Sequence, residues 1–172
     1  MTEAIRDRQK EDDFFISEET VDFFSKADIV VVDTSVVAKW FFHIEEQHAD
    51  KADSILEDFY NNKIRLISPE LMLFEITNVL KNKVTQEDTK KICIIDKLYD
   101  MGIIFKVDKN ILKNSLNNAY KYSLSVYDGI FLATAQYFQG QLVTDDRKLF
   151  TNYSNKDKEG SVILLKDYGR QY

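Results

Sequence analysis

This sequence predicts an α/β domain built on a mainly parallel central sheet with helices on both faces. Three observations carry the prediction: short β-branched runs too apolar for half-solvated strands, amphipathic stretches of helical length between them, and caps and stops at the helix boundaries. The 172 residues are 44% hydrophobic and 13% aromatic, enough to fill one core and too few for two full domains. No internal repeat, low-complexity tract or interdomain linker interrupts the alternation.

The first strand is Ile-Val-Val-Val from Ile29, a run suited to burial on both faces. An irregular stretch follows, then HADKADSILEDFYNN has helical spacing, and IRLI reads as a second strand. Ser68, Pro69 and Glu70 form a helix-start signal: a cap oxygen, proline at the first helical position and an acid in the first turn. That helix is expected to run through LMLFEITNVLKNK. Thr85 with Asp88 resembles a capping arrangement for TQEDTKKICIIDKLYDM, which Gly102 is placed to end in the left-handed conformation. IIFKV is the third strand, KNILKNSLNNAYKYS a polar amphipathic helix, and YDGIFLATAQYFQ an apolar helix stopped near Gly140. QLVT and SVILL supply the fourth and fifth strands.

Composition excludes several classes. The densely charged start and the charges Asp33 and Lys39 inside the most apolar segment leave no secretory signal and no membrane span, which points to a cytoplasmic protein. Cys93 is the sole cysteine, so no internal disulfide forms; its place in KKICIIDKLY is that of a core residue. His43 and His48 have no second cysteine or histidine group to join in a zinc site. The net charge of −6 argues against a polyanionic partner until its distribution is considered. Residues 1–28 hold nine acids against four bases, so the remainder is almost neutral, with Lys81, Lys83, Lys90 and Lys91 available as basic surface or as a solvated helix face. Residues 1–28 are thus expected to be an acidic N-terminal extension, partly mobile, with a short helix at EETVDFF and two aromatic pairs, Phe14–Phe15 and Phe23–Phe24, seeking an apolar surface.

In parallel sheets, sites form beyond the carboxyl ends of the strands. The first strand runs into Asp33-Thr34-Ser35 and the fourth into Thr144-Asp145-Asp146. Two more acids, Glu75 and Asp128, stand among apolar neighbours on flanking helices. Ionised carboxylates on buried faces are expensive unless they meet a cation or hydrogen-bond donors, and a shared metal ion would compensate several together. Each acid also has a local alternative. Asp33 can cap a turn, Asp128 and Asp146 can cap the helices they open, and Glu75 can sit in an ordinary buried salt bridge. Tyr127, Thr77 and Trp40 read as structural.

Four segments in order, VVDTSVVAKWFFHIEE, SPELMLFEITNVL, SLSVYDGIFLATAQ and QLVTDDRKLF, resemble the motifs of the PIN-domain nucleases, and in particular the toxins of VapBC-type toxin–antitoxin pairs. Together they span about residues 29–150, and the resemblance implies a PIN-like domain over residues 29–172. It carries the family's metal-binding acids onto Asp33, Glu75, Asp128 and Asp146, with Thr144, Ser35 and Asn78 in support. The Thr-x-Asp spacing selects Asp146, while Asp145 beside it can replace or supplement it. The acidic extension departs from compact members of the family.

The resemblance implies hydrolysis of RNA to leave a 5′-phosphate and a 3′-hydroxyl, a transfer, ribosomal or messenger RNA substrate, an antitoxin partner and a homodimer. Carboxylates without histidine or cysteine suit Mg2+ or Mn2+ better than zinc. Alternatives are a housekeeping RNA-processing nuclease and a catalytically silent module that retains the fold to bind RNA or protein. An aspartate-dependent phosphatase also places acids at strand ends, but it requires a second Asp two residues after the nucleophile, where this chain has Ser35.

Overall fold

The computed structural model describes residues 29–42, 47–82, 88–157 and 160–169. Five strands form one parallel sheet: β1 (Ile29–Val32), β2 (Arg65–Pro69), β3 (Ile104–Phe105), β4 (Gln141–Thr144) and β5 (Val162–Leu164), in the order β3-β2-β1-β4-β5. Seven helices flank it among the described residues: α1 (Thr34–Phe41), α2 (Ala49–Tyr60), α3 (Leu71–Asn82), α4 (Asp88–Asp100), α5 (Lys109–Tyr122), α6 (Val126–Tyr137) and α7 (Arg147–Ser154). A short 3-10 turn, Leu165–Asp167, follows β5. The expected α/β architecture is the observed one.

All four residues of β1 are buried, because β1 is central, with β2 on one side and β4 on the other. The chain first adds strands outward from β1 to β3, then returns to place β4 against β1's free edge. The crevice between the carboxyl ends of β1 and β4 is therefore the point where the winding reverses, the general location of ligand sites in open sheets. The core side chains around β1 include Val31, Val36, Ile67, Met72, Leu132 and Leu142, none measurably exposed. Helix α6 is buried continuously from Gly129 to Ala135, as expected of a helix apolar all round. Its approach to α5 depends on glycine: a Cβ on Gly129 would lie 2.5 Å from the Ser115 carbonyl oxygen.

Several local expectations are corrected. The stretch after β1 is not irregular at its start but forms α1, capped by Asp33, whose side chain accepts from the Val36 N–H. Its β-branched and aromatic residues have modest helix propensity, and burial of Val36, Val37 and Trp40 overrides it. Ser68 and Pro69 do not start a helix; they end β2, and α3 begins at Leu71. In the register of β1 on β2, residue 69 would offer its N–H toward Val32. Proline has none, and the Ser68 hydroxyl donates to the Val32 carbonyl instead, at 2.9 Å. Cys93 is exposed, so the core face of α4 is set by Ile94 and Leu98. On α3 the buried face is Met72, Ile76 and Leu80, leaving Phe74 72% exposed. Gly102 has the expected left-handed conformation, with φ of 61°. The EETVDFF helix, both aromatic pairs, Thr85, His43 and Lys83 lie outside the described residues.

Candidate active site

Asp33 occupies the crevice between β1 and β4 and is only 6% exposed. As the N-cap of α1 it is fixed by the chain itself, and two hydroxyls then fix its two oxygens. Ser35 Oγ donates to Oδ1 at 2.5 Å, and Thr144 Oγ1, from the end of β4, donates to Oδ2. These hydroxyls are themselves oriented by consecutive backbone groups. The Asp145 N–H donates to Ser35 Oγ and the Asp146 N–H to Thr144 Oγ1, both at 2.9 Å. The turn after β4 thus holds both carboxylate oxygens of Asp33 through two parallel relays. Asp33 takes part in none of the ion pairs among the described residues. Burial pushes its carboxyl up to about 6, against the opposing pull of the Ser35, Thr144 and backbone hydrogen bonds.

Glu75, in the first half of α3, is half-buried and accepts from the Thr34 hydroxyl at the start of α1. Desolvation raises its carboxyl, the Thr34 bond lowers it, and the negative charge of Asp128 raises it further. That repulsion means α3 and α6 bring two acids within electrostatic reach. Asp128 is half-buried in the first turn of α6 and takes part in a capping box: its N–H donates to Ser125 Oγ at 3.0 Å, and its carboxylate accepts from the Ser125 N–H at 3.3 Å. The geometry brings Asp33, Ser35 and Thr144 into direct contact and joins Glu75 to the start of α1 through Thr34, while the charge of Asp128 bears on Glu75 from α6.

Asp146 is exposed and caps α7, its carboxylate accepting from Lys148 and Leu149 N–H groups at 2.7 and 3.1 Å. It meets the Asp33 network through its own N–H on Thr144. Asp145 points elsewhere. Its carboxylate pairs with the buried Lys39 at 3.1 Å and lies 3.1 Å from His48 Nδ1. Asn78 is exposed on α3, one turn beyond Glu75. Trp40 is structural, donating from Nε1 to the Ala52 carbonyl at 2.9 Å, whereas Tyr127 is 62% exposed. Sequence reasoning passed over Thr34 and Lys39. The signal for Thr34 was its place directly after a strand-end acid, and for Lys39 its isolation as a charge within an apolar helix.

Among the described residues, no three acids, histidines or cysteines converge tightly enough to form a ready-made metal cage. The donors nevertheless fit a hard divalent cation: carboxylate and hydroxyl oxygens, one acid desolvated with no cationic partner among the described residues, and a second whose carboxyl is raised by a third. A cavity of about 630 Å3 lies apart from these acids, lined by Trp40, Phe59, Arg65, Lys97 and Met101.

A single parallel α/β domain with acids at its strand-reversal crevice is the architecture of the PIN domain, and this chain belongs to the PIN-domain family, whose model matches residues 30–156. Its fold is similar to that of PAE2754 from Pyrobaculum aerophilum, with a TM-score of 0.57 at 19% identity over 84% of this chain and 90% of the other. A toxin–antitoxin complex from Klebsiella pneumoniae gives 0.57 at 20% identity, over 79% and 97% of the two chains. DNA-bound VapBC from Salmonella typhimurium gives 0.57 at 13% identity, over 79% and 97%. Comparison with curated protein sequences returns no match.

Proposed function

We propose that this protein is a metal-dependent ribonuclease and the toxin component of a type II toxin–antitoxin pair. The observation that carries the enzymatic reading is the buried Asp33 carboxylate, held at the strand-reversal crevice by two oriented hydroxyls and paired with no cation among the described residues. A fold-preserving sequence has little reason to keep such an acid uncompensated unless something positively charged joins it. Asp33, Glu75, Asp128 and Asp146 would hold Mg2+ or Mn2+. Bound there, the ion would supply Lewis-acid polarisation of a phosphodiester and a lowered pKa for the attacking water.

The chain's own contribution is orientation. Ser35 and Thr144 present the Asp33 oxygens in one rotamer, Thr34 does the same for Glu75, and the Ser125 cap restrains Asp128. Acids gathered around the site would repel an RNA phosphate, so substrate engagement would depend on the cation as well as on basic surface such as exposed Lys81. RNA cleavage leaving a 5′-phosphate and a 3′-hydroxyl, on transfer, ribosomal or messenger RNA, follows from the family resemblance.

The toxin role is supported by structural neighbours that are toxin–antitoxin complexes, in keeping with an antitoxin partner for this chain. Leu112, Leu116 and Tyr120 recur every fourth residue on α5 and remain 46–79% exposed, an apolar stripe suited to the homodimer. No helix among the described residues is long and apolar enough to cross a membrane. The proposed toxin role would place the protein in the cytoplasm. Residues 1–28 are assigned to an acidic extension outside the domain. The test is incubation with end-labelled total RNA in Mn2+ or Mg2+, beside EDTA and Asp33→Asn controls. Discrete cleavage needing both metal and Asp33 is expected; equal, metal-independent cleavage by wild type and variant would sink the reading.

A further inference from the structure

Asp145 is the acid that sequence spacing left ambiguous, and its surroundings differ in kind from those of the other acids. Three residues from two elements meet it. Lys39, on α1 and only 4% exposed, reaches one carboxylate oxygen at 3.1 Å. His48, the N-cap residue of α2, faces the other oxygen at 3.1 Å. The Asp145 backbone N–H meanwhile donates to Ser35 Oγ, which donates to Asp33 Oδ1. An uncompensated ammonium in a core is costly, and the Asp145 carboxylate at 3.1 Å supplies compensation to the buried Lys39. Loading a lone pair of Ser35 with the Asp145 N–H also favours the serine proton pointing at Asp33.

We propose that Asp145 is a positioning residue for Asp33 rather than a metal-binding acid, and that Lys39 is its anchor. The side chain is fastened to α1 and to the start of α2, which sets where its backbone N–H lies. That N–H sets the Ser35 hydroxyl, and the hydroxyl sets one oxygen of Asp33. Asp146 works in parallel through Thr144 on the other oxygen, with its own side chain fastened to the N-terminus of α7. The consecutive acids therefore differ in task. Asp146 keeps an exposed carboxylate at the crevice, whereas the Asp145 charge is spent on Lys39. The inference rests on the nuclease reading only for the purpose that the positioning serves.

A double-mutant cycle on the full chain tests it, with Lys39→Met, Asp145→Asn and the combined variant. Calorimetric Mn2+ titration is read beside RNA-cleavage kcat and KM. Each single change is expected to weaken Mn2+ binding or kcat by about tenfold with KM little changed, the scale of losing a group that orients a ligand. The combined variant should be no worse than either single one, because the two residues act as a unit. If Asp145→Asn abolishes Mn2+ binding while Lys39→Met leaves it intact, Asp145 is a ligand and the inference is wrong. Variants that lose thermal stability but keep wild-type Mn2+ affinity and kcat would overturn it too, leaving the pair merely structural. Titration needs no substrate. A wild type that binds Mn2+ without cutting RNA would remove the ribonuclease reading and still leave the positioning decided by the cycle, whereas a wild type that binds no Mn2+ removes both.

Discussion

Asp33 and Asp145 lie on opposite sides of one hydroxyl, Ser35 Oγ, yet their electrostatic situations are opposed. Asp145 is partly exposed and paired with Lys39 and His48. Asp33 is almost fully buried, is held by neutral donors, and has its carboxyl pushed up to about 6 by that burial. A fold that can bring a buried lysine to one acid could have brought one to the other. On the proposed reading, compensation is supplied within the chain where a charge serves structure and is left to an incoming cation at Asp33.

The largest expected effect comes from removing the uncompensated charge. Asp33→Asn should lower metal-dependent RNA cleavage at least about a hundredfold if, as proposed, its carboxylate is a ligand of the ion. A quantitative cleavage assay with EDTA controls measures it. The same substitution should stabilise the metal-free protein at neutral pH, because a neutral side chain of the same shape replaces a desolvated charge. Opposite signs for activity and stability would be the mark of a functional acid, and a parallel loss of both would break the contrast with Asp145.

A second test concerns the platform that carries Asp128. Gly129→Ala drives a methyl into the Ser115 carbonyl and should destabilise the protein by about 1–3 kcal/mol in chemical denaturation, as overpacking does. Unchanged stability would mean that α5 and α6 separate more easily than their packing implies.

The third effect is pH dependence. The folded carboxyl of Asp33 titrates near 6 and its ordinary value is 3.8, so between those values the folded protein holds the proton more tightly than the unfolded chain. Metal-free stability should therefore fall as pH rises through that window, with Glu75 shifted in the same direction. Between pH 5 and pH 7.5 the loss from Asp33 is on the order of 1 kcal/mol. Differential scanning calorimetry in EDTA would detect it, and a flat profile in Asp33→Asn would assign it. The smallest effect is at Asp146: Asp146→Ala removes the α7 cap and should cost about 1 kcal/mol in denaturant, alongside its effect on cleavage.

Much of the fold was legible because its signals are local. The four apolar residues of β1, the QLVT strand and the Gly102 stop each follow from residue type and spacing over a few positions. Failures came where tertiary contacts override local preference. The segment TSVVAKWF is dominated by β-branched, hydroxyl and aromatic residues of modest helix propensity, and becomes α1 because its buried face packs on the sheet. Ser68 and Pro69 carry a helix-start signature but are used to finish a strand, with the serine replacing the hydrogen bond that proline cannot make. For the site, the strand-end acids could be picked out, whereas the partners that orient them could not. Thr34 meets a residue 41 positions away, and Thr144 meets one 111 positions away. Such pairings depend on strand order, and no local pattern encodes the crevice between β1 and β4. Asp145 and Asp146 are indistinguishable as letters, and only the position of Lys39 separates their surroundings.

The most direct test of the central claim is a calorimetric Mn2+ titration of the purified, metal-stripped protein beside Asp33→Asn. The account predicts saturable binding by the wild type, accompanied by a rise in thermal stability, and loss of both in the variant. Equal binding by the two proteins, or no binding by the wild type, would contradict the assignment of the uncompensated carboxylate to a divalent cation.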